Sequence, residues 1–252
     1  MSEITLRRAP FPSSFFRQTA IAHCTAFSNS AITSWWSPTP ELAKSETVDE
    51  IPPLRLQKTT REHCHRELDP KTLVVCAVID GQVAGFATWK PPNRLRRSES
   101  LAEAIYRKAI EYKDALTDWM FPPYWIIPEK KAAFLKAQED CMDRLLGKGK
   151  INEMWYLHIL AVHPAYQRRG VGAALLDWGL RHARERGDKI YLEASEFGKG
   201  LYLKKGFKVV GKLEVGDEGE KLVVPCMLWD PATAPSQNEI EHVPAEPMGK
   251  QV

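Results

Sequence analysis

The chain has 252 residues, of which 44% are hydrophobic and 27% charged, enough to bury one core and too ordinary for a disordered, collagenous or membrane-embedded protein. Its 35 basic and 32 acidic residues leave a formal charge of +3, so bulk charge gives no reason to expect a nucleic-acid partner, and no apolar run of bilayer-spanning length points to a membrane partner. Cys24, Cys64, Cys76, Cys141 and Cys226 are odd in number and lack a Cys-x-x-Cys pair, which predicts neither a disulfide framework nor a zinc site and favours a reducing, cytoplasmic setting.

In chain order, residues 13 to 34 mix aromatic and small side chains in a helical pattern. Trp35-Trp36 and a Pro-rich, acidic stretch through Pro53 then read as loop. Thr72 to Ile79 and Val83 to Trp89 flank Asp80-Gly81, the signature of a β-hairpin. Pro91-Pro92 stops the sheet, and residues 92 to 150 read as a helical insertion, with Leu101, Ile105, Lys108 and Tyr112 at helical spacing and aromatic residues around Pro122-Pro123. Residues 153 to 162 are apolar on both alternating faces, as a covered central strand must be. A Gly-rich turn, an amphipathic helix ending near Gly187 and a strand over Lys189 to Ala194 follow, which predicts a pair of parallel strands and an α/β fold. Phe207 to Leu213 and Lys221 to Trp229 read as a closing antiparallel pair. The expected organisation is one domain over 1 to 230, with a Pro-, Glu- and Ser-rich tail over 231 to 252 expected to be disordered.

The turn carries the most chemical information. Gln167, Arg168, Arg169, Gly170, Val171, Gly172 and Ala173 lie between the central strand and the amphipathic helix. A helix start leaves backbone N–H groups unpaired and partially positive, so phosphate oxygens are stabilised there. The glycines allow close approach and the two arginines add charge-assisted contacts, which suits a diphosphate. The glycine spacing is wrong for a dinucleotide fingerprint, and no Gly-Lys-Ser or Gly-Lys-Thr makes a Walker loop.

These residues resemble the GNAT superfamily of acyl-CoA-dependent N-acyltransferases, whose Gln/Arg-x-x-Gly-x-Gly/Ala block is met by Gln167, Gly170 and Gly172. A second block, Leu192 to Ser195 followed by Leu201-Tyr-Leu-Lys-Lys-Gly-Phe207, is similar to the same family. The resemblance implies a mixed, centrally splayed β-sheet flanked by helices; the helical insertion over 92 to 150, between the third and fourth strands, departs from the family's compact pattern. It implies acetyl-CoA as co-substrate, with the coenzyme in the cleft between the two parallel strands; His63-Cys64-His65 is spaced too tightly for a metal site, and no metal is expected. Backbone groups around Leu160, Ala161 and Val162 would meet the pantetheine arm, with the turn residues and Ser195 completing the coenzyme site.

Attack by an amine on a thioester needs a base for the amine proton and an acid for the departing thiolate. The resemblance places Tyr202 near the coenzyme sulfur as the acid; a core tyrosine with a satisfied hydroxyl is the alternative. His158, mid-strand and on the face of Tyr156 and Leu160, is one candidate base. Its strand is similar to that of the arylalkylamine N-acetyltransferases, in which a second histidine two residues earlier completes a proton relay; here Tyr156 stands in that place. Glu193, a carboxylate inside an apolar strand, is the competing base, and a salt bridge is its structural alternative.

Trp35, Trp36, Tyr124 and Tyr156 are the expected walls of an acceptor pocket, which would suit a small-molecule amine of apolar or aromatic character. A protein or peptide amine is the second reading, and a coenzyme-binding module without turnover is the third. A monomer or homodimer is expected.

Overall fold

The structure, a computed structural model, describes residues 3–8 and 11–234. Strand β1 (Thr5–Arg8) pairs antiparallel with β2 (Leu73–Ile79), and β2 with β3 (Gln82–Lys90). Asp80 and Gly81 take φ of 49° and 77°, the positive values that a primed two-residue hairpin turn demands. With β4 (Trp155–Val162), β5 (Ile190–Glu193), β6 (Lys208–Val215) and β7 (Leu222–Trp229) the sheet has the order β1-β2-β3-β4-β5-β7-β6. Its one parallel pair is β4 with β5, and that pair is short: Trp155 faces Ile190 and Tyr156 faces Tyr191. Beyond Tyr156 the two strands part, so the predicted central splay is present.

Eight α-helices surround the sheet among the described residues: α1 (Ser13–Ala26), α2 (Ala31–Trp36), α3 (Pro40–Ala43), α4 (Pro53–Leu68), α5 (Leu101–Met120), α6 (Pro128–Leu146), α7 (Val171–Arg184) and α8 (Glu196–Lys204). One face of the sheet packs on α7 through Trp89, Trp155, Leu175 and Trp178. The other face meets α1 through Phe15, Cys76 and Phe86, and α6 through Phe134, Tyr156 and Leu213.

The structure departs from the sequence expectations in four places. The helix expected over 13 to 34 is two helices, broken at Phe27 to Ser30, where Ser28 accepts from the Ser45 N–H and Asn29 donates to Glu46, tying the break to the segment after α3. Trp35 and Trp36 therefore end a helix instead of opening a loop. Helix α4 is unannounced by apolar periodicity because the stripe it buries is polar: Arg55, Thr59 and His63, four residues apart. The insertion divides in two, since α5 buries none of its residues whereas α6 places Phe134 and Cys141 in the core. Within the expected tail, residues 231 to 234 form a turn on Asp230, with Ala234 packed on the core; positions 235 to 252 lie outside the described residues.

Candidate active site

The turn after β4 has the geometry of an anion site. Gly170 takes φ 82° at the N-cap of α7, and no side chain caps the helix. The first helical hydrogen bond is that of the Ala174 N–H to the Gly170 carbonyl, 2.9 Å, which leaves the N–H groups of Val171, Gly172 and Ala173 for an outside acceptor. Arg168, at φ 61°, Arg169 and Gly170 are exposed. Gln167 turns back, its amide Nε2 donating to the Val162 carbonyl at 3.2 Å, and Arg169 lies over the Tyr166 ring. A Cβ on Gly172 would stand 3.6 Å from side-chain atoms of both Val162 and Leu201, an ordinary contact distance, so the start of α7 packs against α8 and the end of β4 without requiring glycine there. Leu160, Ala161 and Val162 lie on the stretch of β4 that β5 does not pair, where main-chain groups can accept an extended ligand as a strand-like partner.

Beside that stretch opens a cavity of about 290 Å³, lined by residues of α1, α2, α3, α4, α6, β4, β5 and α8. Tyr202, His158 and Glu193, from three separate elements, all line it, as do Leu160, Ser195 and Trp36. Burial pushes the Tyr202 phenol up, so it stays protonated at neutral pH. Ser195 caps α8 by accepting from the Gly198 N–H at 3.2 Å.

Tyr156 connects the two candidate bases. Its hydroxyl donates to Glu193 Oε2 at 2.8 Å, accepts from Gln138 Nε2 at 3.0 Å and stands 3.4 Å from His158 Nδ1. With the tyrosine proton turned to Glu193, His158 Nδ1 is a donor to the tyrosine oxygen, and Nε2 carries the lone pair. Burial, then the charges of Lys90 and Arg66, pulls His158 down to about 3, so it is neutral at pH 7. Burial pushes the Glu193 carboxyl up, and the hydrogen bond from Tyr156 opposes that shift. No salt bridge to Glu193 occurs among the described residues. A neutral imidazole and a buried carboxylate bridged by a phenol can pass a proton inward.

The aromatic residues separate. Trp36 lines the cavity and packs edge-on against Phe134, and Trp125 lines it too. Trp35 turns away: its Nε1 donates to the Glu220 carbonyl at 2.7 Å and its ring sits under Lys130. Tyr124 is largely exposed, with its ring edge against Trp125. Sequence reasoning missed the contributions of α4 and α6. Arg55, Glu62 and Arg66 line the cavity from α4, and Gln138 from α6. Their signal was a polar residue at every third or fourth position of 55 to 66, visible only to a search for polar stripes.

A family model described as "Acetyltransferase (GNAT) domain" matches residues 122–223, beginning before α6 and so taking in the second half of the apparent insertion. An "Acetyltransferase" of Stachybotrys chartarum is 44% identical over 59 residues, which are 23% of this chain; the match spans about a quarter of that relative's length, 26%. Among solved structures, one described as histone acetyltransferase HPA2 and related acetyltransferase from Corynebacterium glutamicum aligns with a TM-score of 0.52 at 20% identity, covering 92% of this chain and 98% of its own. The polyamine N-acetyltransferase of Drosophila melanogaster aligns at 0.51 and 14% identity, covering 90% and 100%. A mosquito protein described as arylalkylamine N-acetyltransferase like 5b aligns at 0.50 and 18%, covering 90% and 100%. At these identities the solved structures share the fold.

Proposed function

We propose, from the match of residues 122–223 to a GNAT acetyltransferase domain, that the chain is an N-acetyltransferase that moves an acetyl group from acetyl-CoA to the primary amine of a small molecule. The observation that carries this reading is the convergence of His158, Tyr156, Glu193 and Tyr202 beside the unpaired edge of β4. The residues present fit the coenzyme. The exposed helix start with its open N–H groups suits the diphosphate, held by Arg168, Arg169, Gly170, Val171, Gly172 and Ala173, and the free edge of Leu160 to Val162 suits the pantetheine arm. Bound there, acetyl-CoA supplies the activated acyl group.

The chain's own residues then manage two protons. His158 Nε2 accepts the proton that the attacking nitrogen loses. As it does so, Nδ1 gives its proton to the Tyr156 oxygen, and the Tyr156 proton passes to Glu193 Oε2. The imidazole ends neutral, and the proton rests on a carboxyl that burial already pushes toward its protonated form. Tyr202, protonated at neutral pH, donates to the departing thiolate. The walls of Trp36, Trp125 and Phe134 suit an apolar or aromatic body on the amine.

Tyr202→Phe tests the assignment directly. The expected result is a kcat lowered by about 100-fold, the lower end of general-acid contributions, with acetyl-CoA affinity by calorimetry unchanged. Wild-type protein that shows no saturable binding of acetyl-CoA, or a Tyr202→Phe enzyme with full turnover, would overturn it.

A further inference from the structure

Several charged groups of the cavity have no part in the proton path, and Arg66 is the one among them with a buried donor left open. Arg66, on α4, lines the same cavity as His158 and Glu193. Its Nη1 is shielded from solvent and has no hydrogen-bond partner. Its Nη2 faces Glu62 Oε2, one turn back, at 3.8 Å, which is too long for a hydrogen bond. Two other cations on α4 are engaged: Lys58 is bonded to Asp118, and Arg55 donates to the Leu42 carbonyl and the Ser45 hydroxyl. A guanidinium nitrogen out of water and without an acceptor is costly, and an open planar fork of N–H donors matches a carboxylate.

The charge of the walls points the same way. Arg55, Lys58, Arg66 and Lys131 are set against two carboxyl groups, Glu62 and Glu193. A positive surround repels a second ammonium group, favours the neutral form of the reacting amine and attracts an anion.

Resting on the acetyl-transfer reading above, we propose that the acceptor carries a carboxylate as well as its amine, and that Arg66 binds this carboxylate while the amine lies at His158. With Trp36, Trp125 and Phe134 holding the body between them, the substrate class is an amino acid with an apolar or aromatic side chain.

The test uses the full chain, acetyl-CoA and a panel of apolar amino acids, each paired with the amine left when its carboxyl group is removed, such as phenylalanine with phenethylamine. The expected result is a kcat/KM at least about tenfold higher for the amino acid, since a site built to hydrogen-bond a group discriminates against an analogue without it. Arg66→Gln should erase that preference, chiefly through a raised KM for the amino acid, and Arg66→Lys should restore part of it. Wild-type turnover that is equal or better on the decarboxylated partners overturns the proposal, whatever the stability of the variants. So does an Arg66→Gln enzyme that loses the same factor on both members of a pair. Either result leaves the acetyl-transfer reading standing, whereas acetyl-CoA binding without turnover on any amine of the panel sinks both.

Discussion

Tyr156 changes meaning between sequence and structure more than any other residue. In the sequence it is a departure from a two-histidine strand; in the fold its hydroxyl joins His158 to Glu193, so both candidate bases belong to one path. Tyr156→Phe should therefore lower kcat by about tenfold or more while leaving acetyl-CoA affinity intact, measured by thiol release and calorimetry. Burial also shapes the response to acid. His23, His63 and His158 are all held below the ordinary histidine value by desolvation, His158 to about 3. The unfolded chain takes up protons below about pH 6.5 while these buried rings do not, so stability present above that pH is lost as pH falls; for His158 the loss runs down towards about 3, at up to about 1.4 kcal/mol per pH unit. Glu193 and Glu67, raised by burial, have the opposite sign: their contribution is complete at low pH and is lost as pH rises through their folded values. The expected result is a melting temperature that drops between about pH 6.5 and 4, with a shallower drop in His158→Gln. An unchanged slope in that variant would mean that His158 is not held neutral by its surroundings.

At the scale of elements, α7 was the most legible helix because its apolar stripe, its opening glycine and its C-terminal arginines all agree. Its placement was not legible. Gly179 lies against Trp89, and a Cβ there would stand 2.2 Å from the indole ring, so glycine sets how closely α7 approaches β3. Gly179→Ala should destabilise the protein by about 1–3 kcal/mol, the usual cost of overpacking a core, read as a lower denaturation midpoint. A midpoint unchanged within error would show that the indole can move aside. Helix α4 is the converse case. Its buried residues are Arg55, Thr59 and His63, so a search for apolar periodicity passes over the element that supplies Arg66 and Glu62 to the cavity.

Across the whole molecule, α5 stands apart from the other long helices. It buries no residue, and Leu101, Tyr112 and Trp119 are 75–79% exposed. Charge ties it to α4: Arg61 reaches Asp118 at 3.0 Å and Asp114 at 3.4 Å, His65 reaches Asp114 at 3.1 Å, and Lys58 pairs with Asp118. Partly exposed ion pairs are screened by salt, whereas buried apolar contacts are not. Amides of 101–120 should therefore exchange with solvent faster than those of α6, and faster still when ionic strength rises from about 0.05 to 0.5 M. Equal protection of the two helices, independent of salt, would contradict this division of the apparent insertion.

The sequence by itself determined the strands and the long helix α7 in the second half of the chain, the glycine turn that opens that helix and the residue types that the proposed acetyl transfer needs. These are local properties: alternation, helical spacing and a glycine at a positive φ act over a few residues and leave their mark in the string. The tertiary structure alone decided that His158, Glu193 and Tyr202 meet at one cavity, with Tyr156 behind them joining the first two, that Trp35 packs elsewhere, and that a polar stripe of α4 forms a wall. Those facts depend on how far β4 and β5 diverge and on which helices cover the gap, and such long-range contacts are set by the packing of the whole core, with no short-range pattern to announce them.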